Sequence, residues 1–221
     1  MACATRAMFV PPAGPGTPVT YAAAAWTEAT ANCRNARSYA AAARASGKFG
    51  AERLWPVGID VAVTSDQSIY LAANAVGRSL FVLAGTANTA TLWLRQEERV
   101  VTAAPAEIMD AIVGVPITPD RLLGVLTGCV ARSFAITRAA LHGSLLAVDT
   151  ADARLYLEQS NGQWRTRAAS TDAFVVEFAA YAGPLPSDVW IWSAAGREPA
   201  ASVRFSISDP EIDGQIQAGV F

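Results

Sequence analysis

Pro105-Ala-Glu-Ile-Met-Asp-Ala-Ile-Val-Gly-Val-Pro-Ile-Thr-Pro-Asp-Arg-Leu-Leu-Gly-Val-Leu-Thr-Gly128 reads as two short helices set into an otherwise β-patterned chain. Pro105 suits the first turn of a helix running to about Val113. Ile108, Met109, Ile112 and Val113 make one apolar stripe on it, and Gly114 stops it. Thr118 is placed to cap a second helix whose first turn holds Pro119 and Asp120. Leu122, Leu123, Val125 and Leu126 point inward from it, and Gly128 ends it. Each helix is shorter than the roughly 12–15 residues an isolated helix needs in water, so both must lie on something apolar.

On either side of the pair the period is two. Tyr39, Ala41, Ala43 and Ala45 alternate with Ser38, Ala40, Ala42 and Arg44, and Val57, Ile59, Val61 and Val63 alternate with Gly58, Asp60, Ala62 and Thr64. Ser65-Asp66-Gln67 then makes a tight turn into a strand whose inward face is Ile69, Leu71, Ala73 and Ala75. Residues 78–86 are apolar on both faces, which predicts cover on both sides. Thr89 to Arg95 and Glu98 to Thr102 pair around Gln96-Glu97. After the helices, strands fall at 144–149, 154–159, 163–169, 174–181, 189–194 and 202–208, with Ser160-Asn161-Gly162 a strong hairpin signal. The fold class is therefore α+β and mostly antiparallel β. Some eleven or twelve strands are too many for one flat sheet and call for strong curvature.

Upstream, Tyr21-Ala-Ala-Ala-Ala-Trp26-Thr-Glu-Ala-Thr-Ala-Asn-Cys33 is alanine-rich and predicts a helix to about Asn35, with Trp26 and Tyr21 as its buried contacts. Residues 1–19 carry Pro11, Pro12, Pro15 and Pro18 and read as a flexible tether, leaving 20–221 as a single domain. With 221 residues, 52% of them hydrophobic, the chain can bury a sizeable core. A net charge of −2 with scattered arginines gives no footprint for nucleic acid. The apolar stretch from Leu80 to Leu94 is broken by Gly85, Asn88 and three threonines, short of the roughly 18-residue run a membrane span needs.

Arg6 followed by prolines is no signal-peptide core, so Met1 reads as a start placed where a targeting segment has been removed. Ala2-Cys3 ahead of a proline- and glycine-rich stretch fits the lipidation site of a bacterial lipoprotein; the alternative is an ordinary thiol in a disordered tail. Cys33 and Cys129 either close a bridge in an oxidising compartment or remain two buried thiols. A single histidine and no Cys/His cluster predict no metal site.

A cysteine on a tether, an N-terminal helix, a meander of antiparallel strands, the Pro-flanked pair Ile112-Val-Gly-Val-Pro-Ile-Thr-Pro-Asp-Arg-Leu-Leu-Gly-Val-Leu-Thr-Gly128 and a second meander together resemble the LolA and LolB lipoprotein-localisation family. The likeness lies above all with its outer-membrane lipoprotein members and spans roughly residues 20–208. The resemblance implies an unclosed, strongly curved half-barrel whose concave face is plugged by helices around an apolar cavity. It also implies a role in lipoprotein transport or lipid binding at the periplasmic face of the outer membrane, without cofactor. The partners would be a lipid or acylated lipoprotein, the membrane through the Cys3 anchor, and an envelope protein. The cavity lining this places is Ile59, Val61, Val63, Ile69, Leu71, Leu92 and Leu94 from the sheet, with Ile108, Ile112, Leu122 and Leu126 from the helices. The turn Ala75-Val76-Gly77-Arg78 corresponds to the receptor's protruding loop but offers Val76 in place of an exposed leucine, and the carrier's cavity arginine has no unique counterpart among Arg37, Arg44 and Arg53.

Two other classes meet the same residues. For an enzyme, His142 lies beside a turn without a neighbouring nucleophile and reads as a solvated loop histidine. Asp149, Asp152, Glu158 and Glu177 fall at turns or on outward strand positions, and Gly14-Pro-Gly16 belongs to the tether. These point away from catalysis. For a docking module with a filled core, Trp190 and Trp192 share one face of a late strand with Asp188 and suggest a partly exposed aromatic patch.

Overall fold

The period-two stretches become strands. The computed structural model describes residues 8–131, 133–194 and 200–214. Helix α1 (Ala22–Ala29) precedes strands β1 (Ser38–Phe49), β2 (Glu52–Thr64), β3 (Ile69–Ala75), β4 (Arg78–Gly85), β5 (Ala90–Leu94) and β6 (Arg99–Ala103). Helices α2 (Pro105–Val113) and α3 (Pro119–Thr127) follow. The chain then continues through β7 (Arg138–His142), β8 (Leu145–Asp149), β9 (Arg154–Ser160), β10 (Gln163–Ser170), β11 (Phe174–Ala182), β12 (Leu185–Ser193) and β13 (Ala201–Ile212).

Among the described residues all thirteen strands form one sheet in the order β6-β5-β4-β3-β2-β1-β13-β12-β11-β10-β9-β8-β7. Every pairing is antiparallel, and the first and last strands meet in the middle, where Ala43 pairs with Ile207 and Ala45 with Phe205. The sheet is thus two meanders joined along one seam. Its ends are β6 and β7, so residues 104–137 must carry the chain from one edge to the other, and α2 and α3 lie in that crossing. Adjacent strands rotate by roughly 20–25°, so so wide an open sheet cannot lie flat; its form is consistent with a curved half-barrel.

One face of the sheet carries the core. Tyr39, Val63, Ile69, Leu83, Leu146, Leu155, Leu157, Val176 and Val189 are buried there in a single cluster with Ile108, Met109, Leu122, Val125 and Leu126 of the helices. Ala41, Ala43 and Ala45 on β1 are small, which lets α3 come close enough to contact both β1 and β2. At Gly47 a Cβ would collide with the Ser202 carbonyl, so the seam needs a glycine there.

Several expectations need correction. Helix α1 ends at Ala29, not near Asn35. The Thr30 hydroxyl bonds back to the Trp26 carbonyl at 2.7 Å, and the amide of Cys33 turns to the Thr30 carbonyl. Threonine and asparagine side chains compete with the helical backbone in this way. Tyr21 is exposed and stacks on Trp164 at 6.0 Å, whereas Trp26 is buried and donates to the Phe134 carbonyl at 3.0 Å. The strand count is thirteen because Arg138–His142 is a strand, so His142 is a half-buried strand-end residue and not a loop residue. On β4 only Leu83 is buried, so the cover expected on both of its faces is partial. Residues 8–19 do touch the sheet: Phe9 packs on Tyr156 with ring centres 5.0 Å apart, and Thr17 exchanges two backbone hydrogen bonds with Leu141. Met1, Ala2 and Cys3 lie outside the described residues.

Candidate functional site

The helix pair and the inner face of the sheet enclose a cleft. Pro105 opens α2, Ile108 and Met109 are buried, and Gly114 stops the helix in the left-handed region at φ 72°. Any side chain at Gly114 would meet the Phe49 ring. Pro119 opens α3, Leu122, Val125 and Leu126 are buried, and Gly128 ends it at φ 85°. Thr118 stands at the cap position with extended backbone, but its hydroxyl makes no capping bond to the first turn.

A cavity of about 30 Å³ remains between these helices and the sheet. Ile59, Val61, Leu71, Ile112, Leu122 and Leu126 line it, joined by Ala43, Phe81, Met109, Val113 and Phe205, so every lining residue is apolar. Of the other candidates, Val63, Ile69, Leu92 and Ile108 are buried in the surrounding core, and Leu94 is half-buried against it. Phe81 could have been found from register, because it pairs with Leu94 on one side and Ala73 on the other and so shares their face. Phe205 lay in a clear alternation with Val203 and Ile207; what hid it was the seam, which sets β13 beside β1.

Helix α3 is fastened at both ends. Arg121, 9% exposed, donates to the Val130 carbonyl at 2.7 Å and pairs with Asp152 at 2.9 Å. The Ser133 amide also donates to Asp152. Cys33 and Cys129 are bonded, with Cα atoms 6.0 Å apart, tying the turn after α1 to the exit of α3. The Thr166 hydroxyl reaches the Gly128 carbonyl at 2.9 Å.

The polar residues are largely paired. Glu177 lies on the outward face as expected but is only 3% exposed there, because it meets Arg167 at 2.7 Å. Asp149 pairs with Arg154 and Asp188 with Arg204. Trp190 and Trp192 stack at 5.7 Å on the face opposite the core; Trp192 is buried, and Arg204 lies over the half-buried Trp190, so the expected aromatic patch is mostly covered. The Tyr39 hydroxyl is buried without a partner, and burial pushes its pKa up. Val76 stands fully exposed at the β3–β4 turn with φ 48°. Among the described residues there is no group of three metal-ligating side chains, and no helix is long and apolar enough to cross a membrane.

An open antiparallel sheet of this order, with a helix pair crossing from edge to edge over its apolar face, is a LolA-like fold. The chain is similar to a LolA superfamily protein of Nitrosomonas europaea, at TM-score 0.56 and 9% identity over 88% of this chain and 94% of that one. A putative outer membrane lipoprotein-sorting protein domain of Vibrio parahaemolyticus matches at TM-score 0.54 and 9% identity over 88% and 93%. A DUF1329 family protein of Desulfovibrio piger matches at TM-score 0.52 and 8% identity over 91% and 95%. Neither a protein-family model nor a curated protein matches the sequence.

Proposed function

We propose that the protein is a non-catalytic lipoprotein of the periplasmic face of the outer membrane. In this reading it is held there by acylated Cys3 and takes an acyl chain of a lipid or lipoprotein between α2, α3 and the concave face of the sheet. The observation that carries this is the cleft whose lining is apolar throughout, in a fold shared with lipoprotein-sorting domains. Burying methylenes there yields about 0.8 kcal/mol each, so a dozen would give on the order of 10 kcal/mol before ordering costs. The present cavity of about 30 Å³ has room for only a few waters and far less than a dozen methylenes need, so a guest must open the cleft. Because α3 is fastened at both ends, α2 and residues 114–118 are the parts that yield. Val76, at the tip matching the receptor's protruding loop, faces the membrane in this arrangement.

A second reading is favoured by the same small volume: a lipid-anchored module with a filled core that docks on another envelope protein. Native mass spectrometry of protein extracted from membranes separates the two. Co-purifying lipid in the wild type, reduced at least about tenfold in a folded Ile112→Asp variant, supports the carrier. Lipid-free protein that also fails to take up a fatty acid in vitro supports the module.

A further inference from the structure

The opposite face of the sheet carries a second, polar pocket that the acyl cleft does not use. On β7, β8 and β9 three cross-strand rows lie side by side: Arg138, Asp149 and Arg154; then Ala140, Ala147 and Tyr156; then His142, Leu145 and Glu158. The middle row is small on two of its strands and leaves a hollow. Pro12, Gly14 and Pro15 roof it, enclosing about 230 Å³ with Arg138, His142, Asp149, Arg154 and Tyr156 around the walls.

This roof is built and held in place. Gly14 and Gly16 take φ values of 88° and 67°, the left-handed region glycine adopts without penalty. At Gly16 a Cβ would fall 2.6 Å from His142 Nε2, so only glycine lets the segment sit down on the imidazole. The double hydrogen bond between Thr17 and Leu141 pins it to the edge strand, and Phe9 anchors its other end on Tyr156.

The charges in the hollow do not cancel. One carboxylate, Asp149, faces two guanidiniums and is taken by Arg154, whose Nη2 donates to it at 2.8 Å. Among the described residues Arg138 keeps only a 3.4 Å bond to the Pro15 carbonyl and His142 has no side-chain partner. The roof brings no charge, and its prolines bring no N–H donors. What the pocket lacks is an acceptor for Arg138, for His142 and for the Arg154 N–H groups that Asp149 does not take. Its volume, below the roughly 300–1,000 Å³ of drug-sized sites, suits a small occupant.

We propose that this pocket binds a small phosphate-bearing anion, with Arg138 and Arg154 on its oxygens and His142 beside them. Arginine pairs with phosphate oxygens through strong, directional charge-assisted hydrogen bonds. The phosphate could belong to a soluble ester or to a phospholipid headgroup. The test is calorimetric titration with glycerol 3-phosphate, together with flotation on vesicles of phosphatidylglycerol or of phosphatidylcholine, for the wild type and for Arg138→Gln. The amide signals of Gly14 and Gly16 are followed by NMR in the wild type, so that a poorly folded variant does not decide the matter. Glycerol 3-phosphate binding that shifts those amides and weakens at least about tenfold in the variant supports a soluble ligand. Flotation only on phosphatidylglycerol, lost in the variant, supports the headgroup. Absence of both, or binding indifferent to Arg138→Gln with the glycine amides unmoved, overturns the site. Neither result bears on acyl binding in the cleft.

Discussion

Tyr39 shows how a single residue can work against the fold that contains it. Its ring is wholly buried in the core while its hydroxyl finds no partner, and an orphaned buried polar group costs about 1–3 kcal/mol. Tyr39→Phe should therefore raise stability by about 1 kcal/mol, read as a shift in urea midpoint at unchanged slope. Arg121 is the opposite case, since removing it takes a buried guanidinium away from both the Val130 carbonyl and Asp152 at the α3 exit. Arg121→Met should cost about 2–4 kcal/mol, while the double change with Asp152→Asn should recover part of that loss in the same assay. Val76 holds a left-handed backbone that a β-branched residue resists, so Val76→Asn should raise the thermal midpoint. Little of this was legible beforehand. Alternation put Glu177 correctly on the outward face, but Arg167 covers that face locally, and partners from non-neighbouring segments leave no trace in a period-two pattern.

Elements were more legible than residues. Proline at the start and glycine just past the end punctuate α2 and α3 so sharply that both boundaries stand where the residues put them. Six of the eleven proposed lining residues fall on one cleft because the helical and strand periods each select a face. Edges were harder. Strand β7 is five residues of Arg, Ala, Ala, Leu and His, weak in β propensity and recognisable only through its pairing with β8. The α1 boundary failed because a Thr30 side-chain bond ended a helix that alanine content alone would have extended. At this scale the Cys33–Cys129 link closes a separation of 96 residues, for which the chain-entropy relation gives about 4.7 kcal/mol. Replacing both cysteines by serine should lower stability by up to that amount, and amide exchange should rise first at the C-terminal turn of α3.

For the whole molecule, pH is the simplest probe of burial. Burial pushes the phenols of Tyr39, Tyr156 and Tyr181 up from their usual value. A folded value above the unfolded one means the contribution is fully present below about pH 10 and is lost as pH rises through the folded values. Thermal midpoints should therefore fall above about pH 10, and less steeply in Tyr39→Phe, with phenolate absorbance appearing as the fold opens. The general architecture was legible, because many alternating strands interrupted by one helix pair leave few arrangements. The strand order was not, because nothing local says that β1 and β13 are neighbours. That seam also bears on how the protein is made. While the chain emerges from the ribosome, the first meander presents the bare side of β1 until residues 201–212 appear, so a prematurely released product carries an unpaired ribbon edge ready to recruit another copy. Residues 201–212 must be made before that edge is sealed, so the strand that seals the first meander follows every other described strand in the chain.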